Sequence, residues 1–197
     1  SYDMWNGYYT WISNVNYILA EEETMSGSET EKNYVLGQAY AVRAYSYFML
    51  AQMFSRTYKG HESEPCVPLY TEPTDIATEG KGRATVEEVY QQITSDLDKA
   101  ITMLGNSGKR KHISHINEAV ASGIKARVAL VMEDWQTALD AANAAISKSG
   151  CSIGTGTAVT GGMNDATANN VMWAAEIIAD QSGMLSLIHI SEPTRPY

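Results

Sequence analysis

Apolar positions near the start of the chain recur at alternating steps of three and four: Trp5, Tyr8, Ile12, Val15 and Leu19. On a helix of about 3.6 residues per turn this spacing draws a single stripe, so an amphipathic helix is predicted from Met4 to Ala20. Glu21, Glu22 and Glu23 then open a polar loop. A second helix is predicted from Ser28, because Ser28 and Glu31 have the spacing of a capping box, in which each side chain satisfies an orphan backbone N–H. From there to Arg56 the chain is apolar on most sides, through Tyr34, Val35, Ala39, Val42, Tyr45, Phe48, Met49 and Met53, the pattern of a central, buried helix. Gly37 within it costs up to ~1 kcal/mol relative to alanine, which points to close packing against a neighbouring helix.

From Thr57 to Ala84 the prolines Pro65, Pro68 and Pro73 and several glycines rule out a helix and predict a long loop. The pattern resumes at Thr85, with Glu88 as its capping-box partner, and Val86, Val89, Ile93, Leu97, Ala100 and Leu104 form a third stripe that stops at Gly105. A fourth helix is predicted from Ser114 to Met132 and a fifth from Asp134 to Ser149, ending at Gly150. Almost nothing separates these two, so they must fold back on each other as a hairpin. After a Gly/Thr-rich stretch, the run from Val171 to Ile178 reads as either a strand or a buried helical turn.

Small residues recur in the last hairpin at Ala126, Ala129, Ala138, Ala142 and Ala145, with Trp135 at the bend. This is similar to a tetratricopeptide unit, in which small side chains let two helices approach and an aromatic plugs the turn. Such units bury their faces by stacking, so the expected fold is all-α, with helical hairpins in layers and long loops between them.

Charge and composition narrow the function classes. With 14 basic and 23 acidic residues the net charge is −9, which argues against nucleic acid and against an anionic membrane surface as partners. No apolar run approaches the roughly 20 residues of a membrane helix, and the start at Ser1 shows no signal peptide, as in a mature or clipped fragment. Cys66 and Cys151 are far apart and outside any CxxC, so they give neither a disulfide framework nor zinc spacing.

The segment Gly37-Gln38-Ala39-Tyr40-Ala41-Val42-Arg43-Ala44-Tyr45-Ser46-Tyr47-Phe48-Met49-Leu50, closed by Phe54, resembles the signature helix of the SusD (RagB/SusD) family. Further blocks agree in order: Val67-Pro68-Leu69-Tyr70, Arg83 to Tyr90, Lys125-Ala126-Arg127, then Trp135 with Ala138, and Trp173 to Ile178. The helix from Trp11 to Leu19, with Asn14 and Asn16, resembles the family's aromatic first helix. Gln38, where the family often has Glu, and Ser55-Arg56, where a Gly is common, are departures. The resemblance implies a lipoprotein on the outer face of the outer membrane, anchored by a lipid this chain does not carry. It implies non-catalytic capture of an oligosaccharide or other nutrient, and delivery to a SusC-like TonB-dependent transporter. The runner-up is a tetratricopeptide-type scaffold for a protein partner. The last residues, 185–197, resemble what a transposase-based sequencing adapter encodes when read as codons, eleven of them consecutively. The expected organisation is therefore a partial SusD-like helical domain over 1–184, cut at both ends, and a non-native tail over 185–197.

Candidate chemistry is sparse. Exposed aromatics stack on the apolar faces of sugars. Trp5, Tyr8, Tyr9 and Trp11 cluster on the first helix; Tyr8 is assigned to the core, and Trp5 and Tyr9, with Asn6 as a hydrogen-bonding neighbour, are the candidate ligand-binding residues. Arg43 lies inside the buried helix and requires a carboxylate from a neighbour. The family motif positions Gly37, Ala39, Arg43, Ala44, Tyr45, Leu50, Phe54, Trp135 and Ala138 are structural expectations, and Tyr58 and Tyr70, candidates for a binding rim, are expected instead to anchor the long loop. His112 and His115 are expected on a solvated loop, since no carboxylate or Cys completes a metal set. Gly154-Thr155-Gly156 lacks the Lys-Ser/Thr of a phosphate loop. Asp96 and Glu87, or Glu133 and Asp134, are placed at helix surfaces and ends rather than in a hydrolytic cleft, and no Ser-His-Asp set is discernible. The chain is read as no enzyme, with no cofactor and no metal.

Overall fold

The computed structural model describes residues 3–156, Thr160 and 165–175. Five helices carry it: α1 (Met4–Ala20), α2 (Glu29–Phe54), α3 (Val86–Gly105), α4 (Glu118–Met132) and α5 (Trp135–Ser149). The predicted caps form. The Ser28 and Thr85 hydroxyls accept from the N–H of Glu31 and Glu88, whose carboxylates accept in return from the cap N–H groups. Each carboxylate accepts from both the hydroxyl and the N–H of its cap residue, and these bonds hold both carboxyls below the usual glutamate range.

α2 is the central element, packed between α1 and α3, with α3 against α4 and α4 against α5. One contiguous core runs through α1–α4. At Gly37 an added Cβ would stand 2.7 Å from Cγ of Leu104, so the missing side chain is what lets α2 and α3 approach. α4 and α5 meet through Ala126, Ala129, Ala138, Ala141 and Ala145, all buried. Ala141 takes the contact expected of Ala142, which is half-buried.

Three boundaries differ from expectation. The long loop contains a short antiparallel ribbon, β1 (Pro65–Pro68) with β2 (Arg83–Thr85). The ribbon ends where prolines sit, at positions that need no ladder N–H. Arg83 clamps it to the end of α2 by donating to the carbonyls of Phe54 at 3.0 Å and Pro65 at 3.1 Å. α4 begins at Glu118 rather than Ser114, because residues 112–116 turn back on themselves (His115 N–H to the His112 carbonyl, 3.1 Å) and Asn117 supplies the cap. The described part of the 171–178 run, residues 171–175, is neither helix nor strand.

Trp135 does not plug the hairpin turn; it is 63% exposed. The backbone closes the turn without it. Glu133 adopts a left-handed conformation (φ 60°), the Asp134 N–H reaches the Ala129 carbonyl at 3.0 Å, and the Asp134 side chain caps α5. Cys66 is buried and Cys151 half-buried, and both are free thiols. No described helix is long and apolar enough to cross a membrane, and no described His, Cys, Asp and Glu side chains group as a metal site. The expected non-native tail, 185–197, lies outside the described residues.

Candidate functional site

Arg43 projects from the buried face of α2 and organises everything near it. Its Nε and Nη2 donate to the two carboxylate oxygens of Asp96 on α3 at 2.7 and 2.8 Å, a two-pronged pair. Nη1 donates to Oδ1 of Asn16 on α1 at 2.9 Å and to the Thr71 carbonyl at 3.1 Å. Burial pulls the guanidinium toward losing its proton, and the Asp96 carboxylate more than reverses this, leaving its pKa above the ordinary arginine value. Asp96 is thus no surface residue, as its sequence position suggested, but fully buried. A position facing α2 with a cation to neutralise must be interior.

The same network fixes the long loop. Asn16 Nδ2 donates to the carbonyls of Tyr70 and Glu72 at 3.0 and 3.1 Å. The phenols of Tyr9, Tyr47 and Tyr17 donate to Pro68, Tyr70 and Thr74, each at 2.7 Å. Burial raises the Tyr9 and Tyr47 hydroxyls well above the usual phenol range, which keeps them donors. Tyr70 and Tyr58 anchor the loop as expected: the Tyr70 hydroxyl accepts from the Lys81 N–H at 2.9 Å, and Tyr58 donates to the Glu87 carboxylate.

Two clefts flank α1. The smaller, about 330 Å3, is polar and includes Tyr9, Ser13, Asn16, Tyr70, Thr74 and Asp75. The larger, about 540 Å3, is aromatic and includes Tyr8, Trp11, Asn14, Tyr45, Ile116 and Trp173. Its rings touch edge to face in series. Trp11 meets Tyr8 at 5.3 Å between centroids, Tyr8 meets Tyr45 at 6.5 Å, and Tyr45 meets Trp173 at 5.9 Å. Trp173 is held by its indole N–H, which donates to the Ser114 carbonyl at 2.8 Å. Trp11 is 50% exposed and Trp173 40%, so both present open ring surface beside Asn14. A volume within the roughly 300–1,000 Å3 of small-molecule sites, aromatic walls and one amide make an arrangement suited to a sugar ring rather than to bond chemistry.

The predicted residues fall as follows. Trp5 is half-buried, its ring 4.9 Å from both Tyr9 and Phe54. Asn6 is exposed and donates to Asp3 Oδ2 at 2.5 Å, and Tyr9 lines the polar cleft. Tyr8 is core. Gly37, Ala39, Arg43, Ala44 and Leu50 are buried on α2; Tyr45 is half-buried beneath the aromatic cleft, and Phe54 is exposed at the helix end. Ala138 is buried against α4. His115 is not solvated as expected: it is half-buried, its Nδ1 2.5 Å from the Tyr34 hydroxyl. Sequence reasoning weighed Trp5 and Tyr9 and passed over Trp11 and Trp173. Trp11 sits one position off the Tyr8, Ile12, Val15 stripe, which is the signal that it lies at the stripe's exposed edge.

A family model, SusD-like and described as starch-binding and associating with the outer membrane, matches residues 1–130. No curated protein sequence matches the chain. Among solved structures, a SusD-like carbohydrate-binding protein from Bacteroides vulgatus is 28% identical over 91% of this chain and 38% of its own, with a TM-score of 0.84. A SusD superfamily protein from Bacteroides thetaiotaomicron shares the fold at 24% identity over 91% of this chain and 39% of its own, TM-score 0.82. A laminarin-binding SusD-like protein shares it at 24% identity over 75% of this chain and 30% of its own, TM-score 0.61. The chain spans about two-fifths of the length of the first two of these.

Proposed function

This chain belongs to the SusD-like family, starch-binding proteins that associate with the outer membrane, and from that premise we propose that it captures an oligosaccharide, without catalysis, and passes it to a SusC-like TonB-dependent transporter at the cell surface. The observation that carries the reading is the aromatic cleft, where Trp11 and Trp173 present open rings beside Asn14. Stacking supplies affinity for the apolar face of a sugar, and the amide supplies a hydroxyl contact. Trp5, Asn6 and Tyr9 form a second candidate contact at the start of α1, next to the polar cleft. We further propose a partial SusD-like domain over 1–184 followed by a non-native tail.

The test is titration with neutral glucan oligosaccharides, read by tryptophan fluorescence and calorimetry, on the protein and on Trp11→Ala and Trp5→Ala. Loss of about 1–3 kcal/mol of binding in Trp11→Ala is expected, in line with the apolar surface one aromatic ring covers. Unchanged affinity in Trp11→Ala with loss in Trp5→Ala would move the site to the start of α1. No binding of any glycan would reject the reading.

A second reading, a tetratricopeptide-type scaffold for a protein partner, is favoured by one observation. Trp135, Leu139 and Ile146 share one face of α5, and each is more than half exposed. A scaffold would bind protein through that face and show no saturable response to glycans.

A further inference from the structure

A third cleft, of about 650 Å3, opens between the connection from α3 to α4 and the last turn of α5. Its wall is charged where the aromatic cleft is apolar. Lys109, Arg110 and Lys111 come from the connection and Lys148 from α5, against Glu118 as the one carboxylate among the described lining residues. Four cations around one concavity, on a chain of net charge −9, reverse the sign of the surface locally. A concave wall of one sign focuses the field and concentrates counter-ions in it.

The cations differ in how they are used. Arg110 is a fixed post: its Nη1 donates to the Met172 carbonyl at 2.8 Å and, at 3.4 Å, to those of Ile113 and His115. Lys111 Nζ stands 5.4 Å over the Tyr34 ring. Lys148 pairs with Glu118 at 2.9 Å, with the lysine side chain 55% exposed. Lys109 has no hydrogen bond or ion pair among the described residues and lines the cleft. The first turn of α4 closes the same wall through Glu118 and Ala119, whose N–H groups lack helical partners.

We propose that this cleft is an anion subsite that takes the carboxylate or sulfate ester of an acidic glycan. The proposal rests on the carbohydrate-binding reading above. The concavity favours a sugar over a protein surface, because its volume is that of a small-molecule site and a protein partner needs a broad face. Lys109, with no hydrogen bond or ion pair to break among the described residues, is the cation that closes on the anion, and Arg110 holds the connection in place around it.

The test is calorimetry on the whole protein with a galacturonate tetramer, its methyl ester, a sulfated galactose tetramer, its desulfated form and sodium sulfate. Either acidic probe should bind at least about tenfold more tightly than its neutral counterpart, as for a charge-assisted hydrogen bond. That preference should shrink as salt rises from ~0.05 M to ~0.5 M. Lys109→Ala should cost roughly tenfold in the acidic probe only. Because Lys109 makes no hydrogen bond or ion pair among the described residues, its loss should leave folding alone, which circular dichroism checks. Equal binding of acidic and neutral forms by both pairs overturns the proposal, as does an acid preference untouched by Lys109→Ala. Sodium sulfate binding as tightly as the sugars also overturns it, in favour of a plain anion site. Failure of the two readings is distinguishable. Acid preference kept in Trp11→Ala, with no neutral glycan bound, removes the aromatic cleft and leaves this one. Neutral binding through Trp11 with no acid preference does the reverse, and binding of neither removes both.

Discussion

Asp96→Asn removes one charge where no water can replace it. The side chains of Arg43 and Asp96 are 6% and 1% exposed, and the guanidinium spends two donors on the carboxylate. Asparagine has nearly the same shape, so no cavity opens. It keeps one acceptor and turns an NH2 group toward a donor that thereby loses its partner, which leaves the Arg43 charge buried and uncompensated. Gln92, which donates to Asp96 Oδ1 at 2.8 Å, is affected as well. Breaking a buried pair from one side costs about 3–5 kcal/mol. Against a total stability of roughly 5–15 kcal/mol, that is a large share. Urea denaturation followed by helical circular dichroism reads it directly: with a slope near ~2 kcal/mol/M the midpoint should fall by about 2 M. Asp98→Asn is the control. Asp98 pairs with Lys125 at 2.5 Å, but its own side chain is 54% exposed, and its loss should cost under about 1 kcal/mol. If Asp96→Asn costs no more than Asp98→Asn, Arg43 is not sealed between α1, α2 and α3, and the packing argument fails.

Two further outcomes follow from the same helices. In Gly37→Ala the new methyl would meet Leu104 Cγ at 2.7 Å and the Leu104 backbone nitrogen at 3.2 Å. Overpacking of about 1–3 kcal/mol should outweigh the gain in helix propensity of up to ~1 kcal/mol, and a variant that melts at or above the parent temperature would show that α2 and α3 do not pack this closely. Alkaline stability should fall early, because burial raises the phenols of Tyr9, Tyr40 and Tyr47 and pushes Tyr58 and Tyr90 up to about 12. A group with a raised folded pKa contributes its full stability below its unfolded value of about 10 and loses it as pH climbs toward the folded value. Urea midpoints should therefore be flat from pH 8 to 9.5 and drop above pH 10, and a flat profile through pH 11.5 would contradict the burial of these rings.

Much of the frame was legible because it rests on local signals. Ser28 with Glu31 and Thr85 with Glu88 mark helix starts by spacing alone, and Gly37 announces its contact before the partner, Leu104, is known. Arg43 in an apolar helix demands a carboxylate, but the identity of Asp96 is a long-range fact 53 residues away, and spacing carries no trace of it. The ribbon at Pro65–Pro68 was hidden for a similar reason: prolines argue against strands except at the ends, and pairing with Arg83–Thr85 is non-local. The aromatic cleft unites Trp11 with Trp173, whose proximity only the fold supplies. Trp135 misled because its place at the bend is that of a plug, whereas a left-handed Glu133 had already closed the turn.

Five side chains of α1 and α2 hold the carbonyls of Pro68, Tyr70, Thr71, Glu72 and Thr74. A segment held at so many successive points cannot open one bond at a time, so it shares the opening free energy of the helices beneath it. The Tyr70 amide proton, which donates to the Tyr47 hydroxyl at 2.7 Å, belongs with those of the helical core in an exchange experiment, not with those of surface loops. The wall of the polar cleft is therefore a preset surface, and any ligand meeting it finds the shape already made, with no ordering entropy left to lose on that side.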